Sequence, residues 1–423
     1  MLRITDQSVI PHDLDAQVLA AKELWEAFPD MTSVTTCIYT RSSGPDVTFV
    51  KALATLPSLS SLELVDSTFQ MAMDPQFNLI TGLTRVAFRL THHWSSQTFL
   101  DRWNPSVIQR EAYNIFLLLS SSRSTLEYIE IPGETACPEE LSEYHWPRLR
   151  HVVLDGVVPD RPLSSWLRQA PLLRDLDVRC FHADNSPQFF IYPHSQFNEA
   201  IRLPEIRCLT LANPSPKDRI FDHLSDVHYL SFPALPPSEY FTEGVSCLVT
   251  PIWDATQAKE ALLRCRMPNL VELRISVQDH GCSELIRAIS QAYPSLEVLE
   301  LHRYPIYESS SEEQFVCSSQ QPLVRDFQEI PFALAALPRL THLRLDLNLR
   351  SDIGEDERLE YGLYWDLQEK TALYVAENIP QLESVSMLYR IKQMRRVLTN
   401  PTITWRKFNV SRNADQVQIM LDD

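Results

Sequence analysis

Glycine is scarce in this chain: 8 occur among 423 residues, at 44, 82, 133, 156, 244, 281, 354 and 362, and no two are spaced as G-x-G. Loops that cradle phosphate need clustered glycines so that backbone N–H groups can reach the ligand, so the dinucleotide fingerprint, the P-loop and the kinase glycine loop are excluded. The G-x-S-x-G nucleophile elbow is missing for the same reason. None of the eight cysteines, Cys37, Cys137, Cys180, Cys208, Cys247, Cys265, Cys282 and Cys317, forms a C-x-x-C pair. That removes the common zinc cage and a compact disulfide framework, and reads as free thiols in a reducing compartment. No apolar run approaches the roughly 18 residues of a membrane span, and the opening segment MLRITDQSVIPHDLD has neither the basic nor the apolar region of a secretory signal. The expected location is cytoplasmic or nuclear, without membrane contact. Positive charge is also short, with Lys plus Arg at 38 against Asp plus Glu at 55 and a net charge of −17, which repels a phosphate backbone and reads as no nucleic-acid partner.

What the chain has is a repeat, and a repeat decides architecture before any single residue does. The pattern apolar-x-x-apolar-x-apolar is clearest at Leu59-Ser-Ser-Leu62-Glu-Leu64, Leu149-Arg-His-Val152-Val-Leu154, Leu173-Arg-Asp-Leu176-Asp-Val178 and Ile206-Arg-Cys-Leu209-Thr-Leu211. Leu270, Leu296, Leu340 and Leu382 open four more copies, and weaker ones open at Met31, Leu83, Leu126, Val227, Val245 and Trp405, giving about fourteen irregular repeats. Proline stands two residues before the opening position at Pro29, Pro57, Pro147, Pro171, Pro204, Pro268, Pro294, Pro338 and Pro380. Helix-like stretches precede these prolines, among them 15–28, 163–170, 256–266, 283–293 and 366–379. A proline has no N–H and turns its predecessor away from helical backbone, so each one ends a helix and feeds the next strand.

The helix-Pro-x-Leu-x-x-Leu-x-Leu unit resembles the leucine-rich repeat over nearly the whole chain, and in particular the ribonuclease-inhibitor-like repeats of fungal F-box proteins. The resemblance implies an α/β leucine-rich-repeat solenoid, curved, with parallel short strands on the concave face and helices on the convex face. A single domain over 1–423 is expected, in which each unit buries its first, fourth and sixth positions against helix and neighbours. It also implies a non-catalytic protein-interaction module without cofactor, of the kind that serves as substrate-recognition subunit in cullin-based ubiquitin ligation. The alternative is a ubiquitin-independent intracellular scaffold or sensor. No L-P-x-E-[IL] segment precedes the first repeat, so the ligase adaptor is expected as a partner only if an F-box is encoded upstream. Leu2-Arg-Ile4 reads as the end of a unit whose opening lies before Met1.

Function then falls to the third and fifth positions of each unit, which face away from the core, and to the insertions. Tyr128, His151, Asp175, Asp177, Tyr229, Arg274, His342 and Arg344 form the candidate protein-binding set. Tyrosine and histidine there offer ring surface with a polar tip, and the charges give specificity. Glu63, Glu130, Asp175 and Asp177 fall in the first half and Arg274, His342, Arg344 and Lys407 in the second, so an electrically polar face is expected. Insertions at 89–106, 179–203, 302–325 and 346–366 are expected on one rim, bringing His92, His93, Trp94, Trp103, Phe189, Phe190, Tyr192 and Phe197 together with acidic stretches. Neither H-E-x-x-H nor zinc-ligand spacing accompanies the histidines, and no enzyme is expected.

Overall fold

The computed structural model describes residues 1–5, 23–40, 44–67, 69, 80–89, 105–183, 190–193, 203–212, 214–234, 248–249, 252–278, 282–304, 329–346, 357–390, 403–413 and 416–422. In chain order the strands are β1 (Leu2–Thr5), β2 (Thr36–Thr40), β3 (Ser61–Val65), β4 (Arg85–Arg89), β5 (Tyr128–Pro132), β6 (His151–Val157), β7 (Asp175–Ala183), β8 (Cys208–Leu211), β9 (Tyr229–Phe232), β10 (Leu248–Val249), β11 (Glu272–Gln278), β12 (Val298–Tyr304), β13 (His342–Asp346), β14 (Ser384–Arg390), β15 (Ile403–Asn413) and β16 (Gln416–Leu421). They fall into two compact units, Met1–Ile206 with Leu235–Thr250, and Arg207–Ala234 with Pro251–Asp423.

In the first unit β1 to β7 pair in sequence order, every pairing parallel. Helices Val47–Leu53, Pro105–Ser121, Pro138–Ser142 and Ser164–Leu167 connect the strands. The fourth and sixth positions point to the helices, so Leu62, Leu64, Val86, Ile129, Ile131, Val152, Leu154, Leu176 and Val178 are buried. Trp146 and Trp166 fill the helix side, ring centroids 6.5 Å apart, with the Trp146 indole N–H donating to the Leu141 carbonyl at 2.9 Å.

The second unit repeats the construction through β8, β9, β11, β12, β13 and β14, again in parallel. Leu209, Leu273, Leu299 and Leu343, the fourth positions of well-formed units, are completely buried. Helix Ala255–Arg264 starts at Asp254, whose carboxylate accepts from the Gln257 N–H while the Gln257 side chain returns to the Asp254 N–H. Prolines 268, 294 and 380 follow the ends of helices Ala255–Arg264, Cys282–Ala292 and Glu357–Asn378 by a few residues, as the stop function requires.

One backbone device recurs in both units. At successive parallel repeats within a unit the carbonyl of the second position accepts two N–H groups, from the second and third positions of the next repeat: Ser60 and Ser61 on Thr35, Glu127 and Tyr128 on Thr84, Arg174 and Asp175 on Arg150. In the second unit Val271 and Glu272 bond His228, and Thr341 and His342 bond Glu297, in the same way. Each unit is therefore an α/β leucine-rich-repeat solenoid segment whose stacking at this point is carried by main chain, with no requirement on side-chain type.

Three openings differ from the expectation. The first repeat opens at Val34, three residues after Met31: Thr36 pairs with Ser61 and Cys37 with Leu62, so the buried pair is Cys37 and Tyr39. Val245 lies outside the described residues, and β10 just after it pairs antiparallel with the end of β7. Trp405 opens no repeat either. It sits in β15, which is antiparallel to β14 and forms a terminal hairpin with β16. The insertion at 346–366 is partly helix, since Glu357–Asn378 begins within it, and the one at 89–106 closes into helix Pro105–Ser121.

Candidate functional site

Adjacent strands stand about 4.8 Å apart, so residues at one position of successive repeats form a row across the sheet. In the first unit the third-position row runs Arg85, Tyr128, His151, Asp175. The Arg85 guanidinium lies over the Tyr128 ring, 3.5 Å from its centroid, a cation–π contact. The Tyr128 and His151 rings are 6.0 Å apart at 38°, and His151 Nδ1 stands 2.5 Å from Asp175 Oδ2. These side chains are part-exposed, 34% for Arg85, 45% for His151 and 32% for Asp175.

Beside this row lies an ionic one. Arg89 donates from Nη1 to Glu63 at 2.9 Å and from Nε to both Glu130 oxygens at 3.0 Å. The Tyr128 hydroxyl donates to Glu130 at 2.7 Å. Burial raises the Tyr128 pKa, and the adjoining Glu130 raises it further. Further along the strands Arg179 Nε is 3.2 Å from Asp177 Oδ1, and Asp155 is the ladder partner of Arg179. Burial pushes the Asp177 carboxyl up to about 6; Arg179 opposes the rise, while Asp155 and Glu130 add to it.

The second unit carries a denser network. Glu300, buried on β12, receives Arg344 Nη1 at 3.0 Å and His302 Nε2 at 2.7 Å, with Arg274 Nε at 3.6 Å. Arg274 also bonds Glu272 at 2.7 Å, and its guanidinium lies 5.2 Å from the Tyr229 ring centroid. His302 Nδ1 is 3.4 Å from Asp346 Oδ2, and its ring meets Trp405 edge-on at 5.5 Å. Burial opposes a charged His302, but the bonds to Asp346 and Glu300 outweigh it and raise its pKa above the ordinary histidine value. Burial likewise opposes the Glu300 carboxylate, yet His302, Arg344 and Arg274 hold its pKa below the ordinary value.

Of the sequence-identified residues, Tyr128, His151 and Asp175 form one contiguous row, with Asp177 beside it on Arg179. In the second unit Tyr229, Arg274 and Arg344 are joined through Glu300, whereas His342 stands apart on the Ser384 hydroxyl at 2.8 Å. The expected division into an acidic half and a basic half gives way to local pairing: Arg85, Arg89 and Arg179 sit among the acids of the first unit, and Glu272, Glu300 and Asp346 among the bases of the second. Sequence reading passed over Arg89, Asp155, Arg179, His302 and Asp346 because they occupy seventh positions, one step of the period-two alternation past the six-residue window.

The insertion residues His92, His93, Trp94, Trp103, Phe189 and Phe197 lie outside the described residues. Tyr192 is 1% exposed and belongs to the core, not to a rim. Six described cysteines are free thiols, and burial pushes that of Cys37 up to about 12. Among the described residues no three His, Cys, Asp or Glu side chains group as metal ligands, and no helix is long and apolar enough to cross a membrane.

No protein-family model and no curated protein matches the chain. Among solved structures it is similar to the leucine-rich repeat-containing protein LegL7 from Legionella pneumophila, at 11% identity over 86% of each chain with a TM-score of 0.33. It is also similar to TLR13 in complex with ssRNA13, at 12% identity and TM-score 0.34, covering 75% of this chain and 36% of that one. A third is the leucine-rich-repeat ectodomain of the plant membrane receptor kinase GASSHO1/SCHENGEN3 from Arabidopsis thaliana, in complex with Casparian strip integrity factor 2. There identity is 13% and the TM-score 0.26, over 73% of this chain and 32% of that one.

Proposed function

We propose that this chain is a protein-interaction module, without catalytic role, that binds a protein or peptide through the open strand faces of its two units. The observation that carries the reading is the row Arg85, Tyr128, His151, Asp175: part-exposed aromatic and ionic side chains held in register by rigid strands. Such rings, fixed before binding, cost little entropy when a partner covers them. Tyr229 with Arg274 and Arg344, and His342 beside them, are the corresponding set in the second unit. The described arginines of the first face are engaged with carboxylates or a ring, which favours a protein partner over a polyanion. RNA, which the TLR13 complex contains, is the competing ligand for the test. Free thiols agree with a cytoplasmic or nuclear setting. The finer reading, a substrate receptor in cullin-based ubiquitin ligation, is supported by the helix-proline-strand resemblance; it requires an F-box encoded upstream for adaptor binding.

The test is quantitative cross-linking capture with the full chain, comparing wild type with Tyr128→Ala, with the charge reversal Asp175→Lys plus Asp177→Lys, and with Lys259→Ala on a helix as control. Specific partners are expected to be lost from the first two at a nearly unchanged thermal midpoint and kept by the third. Capture indifferent to both face variants, or capture of RNA in place of protein, refutes the proposal.

A further inference from the structure

We propose that strand β16 pairs with β16 of a second copy of this chain, antiparallel about a two-fold axis at Ile419, so that the sheets of two second units join into one. The contact uses none of the open-face residues above and stands or falls apart from the protein-binding reading.

Among the described residues β16 is bonded along one side only, to β15. The Asp422 N–H donates to the Lys407 carbonyl at 2.8 Å. Backbone direction alternates along an antiparallel strand, so Gln416, Gln418 and Met420 also turn their N–H and C=O groups toward β15. Val417, Ile419 and Leu421 turn theirs outward, a row of donors and acceptors along the edge. Sequences ordinarily protect such an edge with lysine, proline, a bulge or an inward charge. Gln416–Leu421 reads QVQIML, without charge or proline, and its ladder to β15 runs without a bulge. Met420 and Leu421 are 60% and 44% exposed.

The occupant follows from register. An antiparallel partner must set outward-facing residues opposite outward-facing ones, and a copy of β16 does so when Ile419 meets Ile419 and Val417 meets Leu421. Leu421 and Ile419 are the ladder partners of Phe408 and Val410, so with Val417 they lie on the side of the sheet where Phe408 is buried, and the copy doubles them into one apolar row. On the other side Gln418 meets Met420 and Gln416 meets Asp422, so no like charges oppose one another. A centre at Gln418 or Met420 would set backbone already bonded to β15 against the partner, and a centre at Val417 or Leu421 would run part of β16 past the end of its copy. Two chains of net charge −17 repel at a distance, and this neutral strand is where they can meet.

Analytical ultracentrifugation of the full chain between about 1 and about 200 µM is expected to show a monomer–dimer equilibrium that closes at two copies, as a two-fold contact must. Ile419→Lys and Ile419→Glu each put like charges face to face on the axis and are expected to weaken the dimer about tenfold or more, whereas an equal mixture of the two restores it. Leu421→Pro removes an outward N–H at an exposed position and spares the bonds to β15, so it weakens the dimer independently should thermal melting show the Ile419 variants unfolded. Dimerisation is expected to strengthen between about 50 and about 500 mM NaCl, since screening removes the repulsion of like net charges. A monomer at the highest concentration, growth beyond two copies, a dimer that weakens with salt or is indifferent to these variants, or a mixture of folded Ile419 variants that stays monomeric overturns the pairing.

Discussion

Leu273→Ala measures the repeat register directly. Leu273 is the fourth position of its repeat, completely buried on β11 between its ladder partners Leu230 on β9 and Leu299 on β12, themselves completely buried. The substitution removes three carbons, worth about 0.8 kcal/mol each in transfer, or about 2.4 kcal/mol. A cavity term is added where surroundings cannot close in, at roughly 24 cal/mol per Å³ of void. Here they cannot, because Val271 and Glu272 are bonded to the His228 carbonyl on one side, and Glu297 and Val298 to the Val271 carbonyl on the other. A loss of about 3 to 5 kcal/mol is expected, in the upper part of the range for Leu→Ala. Guanidinium unfolding followed by tryptophan fluorescence reads it, with an unchanged slope separating lost stability from an altered denatured state. A loss below about 1 kcal/mol refutes the register. We propose further that 1–423 unfolds as one domain. Trp146 and Trp166 of the first unit and Trp253 of the second, all buried, then report the same shifted midpoint.

Gly133→Ala should cost about 1 to 3 kcal/mol or more, since its Cβ would stand 2.2 Å from the Val157 carbonyl oxygen and 2.8 Å from Cys180 Sγ, and β6 backbone cannot yield as a side chain tip would. Unchanged unfolding energetics for that variant would show that the helical turn after β5 does not lie against β6 as described. His302 should make stability depend on pH in one direction. Its folded-state pKa lies above the ordinary 6.5, so its contribution is complete below that value and fades as pH rises through the folded pKa. The thermal midpoint of wild type should therefore fall more between pH 6 and pH 8, about the histidine range, than that of His302→Gln; parallel profiles would count against the bridge to Glu300 and Asp346.

The repeat was legible because burial writes itself into sequence at fixed offsets: a residue that must face the helices in every unit cannot be polar in most of them. What stayed hidden was what side-chain alternation does not encode. Opening and fourth positions are three apart, so 31–36 and 34–39 are overlapping candidates, and Pro29 favours the earlier one. The later one prevails by burying Cys37 and Tyr39, whose hydroxyl donates to the Gly44 carbonyl at 2.8 Å, and by presenting the Thr35 carbonyl to Ser60 and Ser61. Strand direction is equally silent. Trp405, Phe408 and Val410 carry the repeat spacing, yet period two is the same whether a strand runs with or against its neighbour, and β15 runs against.

The open face was half-legible for a related reason. Its third and fifth positions could be named residue by residue, but the partners that join one repeat to another lie on a different strand, some 20 to 45 residues away: Arg89 with Glu130, His302 with Asp346, Arg344 with Glu300. Sequence order separates such charges into an acidic half and a basic half, whereas the ladder places every residue beside its counterpart one repeat on. Opposite charges at neighbouring seventh and fifth positions then neutralise one another locally, so the order of signs along the sequence does not tell what charge the face presents. On β6 and β7, for example, Asp155 and Asp177 both stand against Arg179, one as its ladder partner and one two residues before it on the same strand, and only the first of these relations is hidden from the sequence.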